Sequence, residues 1–346
     1  MIISFSSRLL AKALLLPIVV LQLLWSVPSI AYKTVQYSQS EIRYIDRSKG
    51  ERNRAFLVSQ PDHDSEYLAA SQQAGSPMLW RIEYPDTNSD TRSSYIFGTI
   101  HIDDEKVMAI PDSVLRRLAA SDTLMLELEL NASGSVNILR KMLFTDGRNL
   151  KQVIGETEFK EVTLALAESG NQLPGDTLSV LKPWAAMLLL IRPENNSGTF
   201  LDKKLADSAR NTGIRIEGLE TIDEQLSVFD DLLLVDQVNL LRSTMNTLTE
   251  KDQAYSDLLD AYLSGDLEEL IRVSATQEPE DKKLAELIKT RLIYDRNQKM
   301  FDRLQGRLQA GNTFIAVGAL HLPGELGLLE KFRQAGYRLV RIGLGD

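Results

Sequence analysis

The chain has 346 residues, 43 % of them hydrophobic and 25 % charged, which excludes a wholly disordered protein and leaves room for about two domains. It has three histidines and no cysteine, so disulfides, thiolate metal sites and a cysteine nucleophile are excluded. Lysine plus arginine at 39 against aspartate plus glutamate at 48 gives a net charge of −9. With no dense basic patch, such a surface repels nucleic acid and anionic lipid.

Residues 1–31 read as a secretory signal. Arg8 and Lys12 precede the apolar run Ala13–Trp25, and the small residues Ser29 and Ala31 suit cleavage after Ala31. The run is shorter than the roughly 20 residues of a spanning helix. An uncleaved N-terminal membrane anchor is the alternative. Loss of Arg8 and Lys12 takes the net charge from −9 to −11. The expected location is periplasmic or secreted, with no membrane span after cleavage, and a fold held by its core without disulfides. Residues 32–77 form a polar arm rich in Ser, Gln, Asp and Arg, and His63 in Pro61-Asp62-His63-Asp64 reads as a solvated turn residue. That leaves 78–346 as one α/β domain with a helical middle section.

This domain opens with an alternating strand at Met78–Tyr84, a turn at Asn88–Thr91 and a second strand at Ser94–Phe97 that runs into Gly98-Thr99-Ile100-His101. Near the other end, the apolar strand Thr313–Val317 runs into Gly318-Ala319-Leu320-His321, 220 residues later. In each copy glycine permits a tight turn or a close approach, and histidine projects from the carboxyl end of a strand, where open α/β sheets place ligands. Pro111-Asp112 and Pro323-Gly324-Glu325 read as the helix starts that follow. A lone GxxH is weak; two copies that use both remaining histidines point to a shared site, and buried structural histidines are the plainer reading.

Two imidazoles make a poor metal site without carboxylates. Leu124–Leu130 alternates, with the leucines on one side and Met125, Glu127 and Glu129 on the other, in a strand expected to lie parallel to the first GxxH strand. A solvent-facing edge strand is the alternative. Ile214–Glu220 is a further short strand, and Thr221-Ile222-Asp223-Glu224 after it is a capping box opening a long helix. Glu220 is a candidate site residue or a neighbour of that helix dipole. Helical periodicity covers Val136–Phe144, Phe159–Ala167, Leu201–Ala209, Leu226–Leu248, Leu258–Leu263, Leu267–Val273 and Lys282–Leu308, the last broken near Tyr294. Lys182-Pro183-Trp184 opens Ala185–Ile191, apolar all round and therefore buried. Arg296 and Met300 share a helix face with Asn297 beside them, which taken alone reads as a solvated polar turn. The architecture expected is a central mixed, mainly parallel sheet with flanking helices and a helical insertion between two strand–GxxH–helix halves.

In order, Tyr95–His101 with Ile110-Pro111-Asp112, Ser121-Asp122 leading to Glu127-Leu128-Glu129, and Lys182-Pro183-Trp184 resemble the TraB/PrgY/GumN/TIKI family. Leu201-Asp202, Gly218-Leu219-Glu220-Thr221, Glu224-Gln225-Leu226, Arg296–Met300 and Ala316–Gly324 continue the likeness, which spans Leu79–Ile342 and is nearest the bacterial GumN-like branch. The wider group includes erythromycin-esterase-like and ChaN-like proteins. The resemblance implies an α/β domain in which both GxxH histidines and a strand glutamate converge on a metal. It carries functional roles to His101, Glu127, His321, Glu220, Arg296 and Asn297. Glu129 stands where an aspartate is frequent and Leu320 where a small residue is, which puts the role of Glu129 in doubt. TIKI members are described as metal-dependent proteases, and TraB/PrgY members are associated with control of peptide pheromones.

The resulting expectation is an exported metal-dependent hydrolase, a peptidase in the first instance. His101, His321 and Glu127 would hold a divalent ion, with zinc, manganese and cobalt all compatible with imidazole and carboxylate ligands. Glu220 or Glu129 would accept a proton and Arg296 would stabilise an oxyanion, with Asn297 beside it. The substrate would be a peptide or small molecule. The competing expectation is a non-catalytic protein that sequesters an exported peptide or other ligand in the same pocket.

Overall fold

The computed structural model describes residues 75–84, 93–129, 134–170, 173–192 and 200–344. The signal, nearly all of the polar arm, His63 and the Asn88–Thr91 turn lie outside these residues. Six strands form one mixed sheet: β1 (Leu79–Glu83), β2 (Ser94–Thr99), β3 (Thr123–Leu128), β4 (Arg215–Glu220), β5 (Thr313–Gly318) and β6 (Arg338–Arg341). Their order across the sheet is β4-β3-β5-β2-β1-β6. The first four in that order are mutually parallel, and β1 runs antiparallel to both its neighbours. The mixed, mainly parallel α/β sheet expected from the sequence is the one observed.

The register brings the two GxxH motifs side by side. On β2 and β5, Gly98 pairs with Val317 and Thr99 with Gly318. Strand β3 is not at an edge: it is hydrogen-bonded to β5 on one side and β4 on the other, and all six of its residues are buried. Continuous burial on both faces is what a parallel strand covered by helices requires. Both motif glycines answer to close approach and not to backbone strain, since neither has a positive φ. A Cβ at Gly98 would lie 2.8 Å from Leu322 and 3.2 Å from the Ala319 backbone, and one at Gly318 would lie 3.1 Å from a Glu127 oxygen.

Two apolar clusters meet at the carboxyl ends of the strands. One contains the sheet and the helices against it; the other is built mostly of helices and includes Leu128, Leu226, Ile288 and Leu292. Leu320, the residue before His321, packs against both. The helical cluster is organised by Pro183–Ile191, all nine residues of which are buried. Pro183 occupies the first turn, where its missing N–H costs nothing. Lys182 Nζ and Trp184 Nε1 both donate to Asp230 Oδ1, at 2.5 and 3.1 Å, tying this helix to Ile222–Asp230. Among the described residues no helix is long and apolar enough to cross a membrane.

Three helical expectations change. The segment Leu226–Leu248 is two helices, Ile222–Asp230 and Leu234–Thr247, because the first is closed by Asp231 and Leu233 turns out of helical geometry. The segment after Lys282 is not broken: Lys282–Lys289 passes into Asp295–Ala310 through a wider π-turn at Thr290–Tyr294. Pro323-Gly324-Glu325 does not start a helix. Gly324 has φ of +86°, the chain turns there, and the helix begins at Leu328.

The capping box at Thr221 and Glu224 forms as expected, and Arg303 adds an ion pair to the same carboxylate. Hydrogen bonding from Arg303 is the main reason the Glu224 carboxyl is held down at about 2. A folded value below the unfolded 4.5 means that the ionised group stabilises the fold above pH 4.5 and that this stability is lost as pH falls toward 2. Glu224→Gln keeps the cap acceptor and removes the charge. The partly exposed pair is screened, so the expected loss is about 1 kcal/mol at pH 7, and denaturant titrations of both proteins should converge between pH 4.5 and 2.

Candidate functional site

The site lies where β4, β3, β5 and β2 end, and each strand delivers one part of it. Glu127, on β3, is fully buried. Its Oε1 accepts the Gly318 N–H at 2.6 Å and its Oε2 accepts Arg296 Nη2 at 2.6 Å. Glu220, on β4, accepts Arg296 Nε at 2.9 and 3.0 Å and Nη2 at 2.6 Å, and Gln225 Nε2 at 3.1 Å. The remaining guanidinium nitrogen, Nη1, donates to the Leu292 carbonyl on the π-turn at 3.2 Å. All three nitrogens of Arg296 are therefore engaged. Arg296 and Asn297 are only 2 % and 0 % exposed, which overturns the solvated-turn reading.

Asn297 fixes the state of His321. Its Nδ2 donates to the backbone carbonyls of His321 and Leu326, at 3.2 and 2.9 Å, so its Oδ1 is the atom facing His321 Nδ1, at 2.6 Å. His321 must then carry its proton on Nδ1 and leave Nε2 bare. That bare nitrogen has no hydrogen-bond partner and faces Glu127 Oε1 at 3.6 Å. Burial pushes the imidazole well down, to about 3, with the nearby Glu127 charge opposing and Arg296 reinforcing the shift. For Glu127, burial opposes ionisation, but the Arg296 charge above all, with the Gly318 N–H, holds the carboxyl below its usual range.

His101 is backed differently. Its Nδ1 lies 3.5 Å from Asp202 Oδ2, while Thr99 Oγ1 donates to Asp202 Oδ1 at 3.1 Å. The ring packs edge-on against Phe200, with centroids 5.5 Å apart. Burial raises the Asp202 carboxyl to about 6, with His101 opposing and the Glu127 charge reinforcing the shift. A cavity of about 20 Å³ lies beside His101, Thr99 and Leu320, room for about one water.

The structure thus gathers His101, Glu127, His321, Glu220, Arg296 and Asn297. It does not gather Glu129, which is exposed one residue beyond the end of β3, although it shares the strand's alternation with Glu127. Both oxygens of Glu220 accept hydrogen bonds from Arg296 or Gln225, and Arg296 directs Nε and Nη2 to the two carboxylates and Nη1 to the Leu292 carbonyl, so both are placed to position Glu127. Asp202 was missed as a site residue. The period of its helix, Leu201–Thr212, reads as an ordinary amphipathic stripe, and the signals that could have found it were an acidic residue on the buried side of that stripe and the place of Leu201-Asp202 in the family likeness.

Among the described residues no group of three or more His, Cys, Asp or Glu side chains is arranged as a metal cage. The donor chemistry nonetheless fits a divalent ion. Both nitrogens of His101, Nε2 of His321 and Oδ2 of Asp202 are buried without a hydrogen-bond partner. Groups so placed cost about 1–3 kcal/mol each when nothing satisfies them, and imidazole with carboxylate is a standard ligand set.

The fold and site define an α/β protein with paired GxxH histidines and a buried glutamate–arginine cluster at its strand ends. The chain belongs to the TraB/PrgY/gumN family, whose sequence profile matches residues 78–341. Metalloprotease TIKI2 of Danio rerio is 24 % identical over 321 residues, covering 78 % of this chain and 61 % of that protein. A metalloprotease TIKI homolog of Amphimedon queenslandica is 23 % identical over 348 residues, 84 % of this chain and 66 % of that one. The chain thus spans about three-fifths to two-thirds of the length of these relatives. An uncharacterized protein of Treponema pallidum (strain Nichols) is 25 % identical over 280 residues, 74 % of this chain and 80 % of its own. No solved structure matches the chain.

Removing Arg296 strands two buried carboxylates. Arg296→Met should cost about 3–5 kcal/mol in urea unfolding, whereas Arg296→Lys should recover part of the loss through charge alone. A methionine variant as stable as the parent would show that the cluster does not hold the strand ends together.

Proposed function

We propose that the chain is an exported metal-dependent hydrolase that acts on peptides. The observation that carries this reading is the bare Nε2 of His321 turned toward the anionic Glu127 within a buried site. A lone pair facing a carboxylate at 3.6 Å is unfavourable unless a cation lies with them. The TIKI relatives, named as metalloproteases, support the same reading, and the signal-like residues 1–31 support export to a periplasm or the exterior.

His101, His321 and Glu127 would hold the ion, which would be zinc, manganese or cobalt. When bound, such an ion acidifies a water and polarises a carbonyl. Asn297 keeps the His321 proton on Nδ1 and so keeps Nε2 available. Asp202 Oδ2, 3.5 Å from His101 Nδ1, would accept the proton on that nitrogen with a small approach of the two groups and so present the other ring nitrogen to the site. Arg296 and Glu220 are positioning residues: Arg296 fixes the Glu127 carboxylate, and Glu220 with Gln225 fixes Arg296. Glu129 has no part in this account.

The test uses purified full-length protein, stripped with a chelator and reloaded. Bound metal by mass spectrometry should be stoichiometric in the parent and lost in His101→Ala and His321→Ala; full occupancy in both variants overturns the assignment. Cleavage of a peptide library should require the metal and stop on chelation. Saturable binding with no product would instead make the chain a receptor using the same pocket. Asp202→Asn should weaken metal affinity by about 10–100-fold while leaving the thermal midpoint of the metal-free protein nearly unchanged.

A further inference from the structure

A groove of about 340 Å³ opens beside the site, between the helix Leu267–Ala275, the π-turn and the loop after His321. Its size falls within the range of ligand pockets, roughly 300–1,000 Å³. Its lining is largely apolar, with Ile288, Leu292 and Leu320 among the more buried residues. Leu326 and Ile271 on its walls are 47 % and 38 % exposed, unusually open for such residues.

Three of these residues belong to the machinery of the site as well. The Leu292 carbonyl accepts Arg296, the Leu326 carbonyl accepts Asn297, and Leu320 precedes His321 and also lines the small cavity beside His101. A chain segment lying in the groove would therefore rest against the backbone that holds Arg296 and Asn297 and leads into His321. The rim carries Glu278, Lys289 and Glu325, two carboxylates against one ammonium, and Lys289 is already engaged by Glu278 at 3.5 Å. This charge balance disfavours an acidic side chain and leaves apolar surface as the main source of binding.

We propose that this groove is the substrate subsite, and that it selects peptides carrying a large apolar side chain next to the bond presented to the histidines. The proposal rests on the hydrolase reading for the word substrate, but peptide selection by the groove can be measured without catalysis. The π-turn shapes the subsite: the wider turn at Thr290–Tyr294 places Leu292 with its side chain on the groove and its carbonyl on Arg296, so groove and site share one backbone segment.

The absence of cysteine makes Ser274→Cys on the groove wall a unique attachment point. Metal-stripped full-length protein is incubated with an equimolar pool of N-acetylated heptapeptides differing only at the central residue, and retained peptides are quantified by mass spectrometry. Peptides with central Leu, Ile, Phe or Met should be retained about tenfold to a hundredfold over those with Asp, the equivalent of burying one large apolar side chain. Alkylating Ser274→Cys with a bulky maleimide should erase that preference while metal uptake and the thermal midpoint stay as in the unlabelled variant. Equal retention of Leu and Asp peptides, or a preference that survives alkylation, overturns the subsite. A bifunctional reagent on the same cysteine that captures residues 1–74 of its own chain also overturns it, in favour of an internal occupant. Retention of apolar peptides with no cleavage after metal loading would sink the hydrolase reading and leave the groove standing.

Discussion

The arrangement at the strand ends depends on one guanidinium. Arg296 is placed between Glu127 and Glu220, which stand on adjacent parallel strands, and it meets both through Nε and Nη2 while the π-turn before its helix supplies a carbonyl for Nη1. Such an arrangement is costly to desolvate and is tolerated only when every partner is met. Burial alone would lower the arginine's pKa; Glu220 and Glu127 more than compensate and raise it, so the cation is permanent. One positive charge against two carboxylates leaves the cluster formally negative. His321 is neutral, and Asp202 is itself pushed toward protonation by burial. A buried site with surplus negative charge and bare imidazole nitrogens is electrostatically prepared for a cation.

The sheet explains how groups from distant parts of the sequence reach this point. Because β5 inserts between β3 and β2, the second GxxH motif lies between the first motif and the glutamate strand. Gly318 is the contact between them: its N–H holds Glu127, and a side chain there would press on the same carboxylate. Gly98 is constrained from the opposite side, by Ala319 and Leu322 of the second motif. Each glycine is thus required by the other half of the site. That reciprocity accounts for the repeated pattern without requiring that the two halves share an ancestor.

Much of this was legible in the sequence because strand period and glycine–histidine spacing are local signals. Five of the six strands, the capping box at Thr221 and the buried helix after Pro183 follow from side-chain pattern and local turn chemistry, whereas the short edge strand β6, with only partly buried or exposed residues, carries no such pattern. The site was legible only in part. Glu127 and Glu129 have the same parity and cannot be separated by alternation; the distinction is that β3 ends at Leu128, which is set by tertiary pairing to β4. Arg296 looked like a solvated residue because its helix is polar in sequence, and its partners lie 76 and 169 residues away. The helix start after His321 was misplaced since proline marks a possible first turn, whereas Gly324 at positive φ spends that proline on a bend.

The two histidines look equivalent in sequence and are not equivalent chemically. His321 is backed by a neutral amide oxygen, and His101 by a carboxylate. A carboxylate behind an imidazole raises its basicity as a ligand, whereas an amide fixes the tautomer with little electronic effect. The amide is the better choice beside Glu127, where a second carboxylate would add to charge that is already in surplus. The carboxylate is tolerated at His101, on the far side of the site, where burial raises the Asp202 carboxyl to about 6 and the Thr99 hydroxyl donates to its anionic form. The asymmetry follows from the position of Glu127: the histidine nearer the fixed anion takes the uncharged support, and the one farther from it takes the charged one.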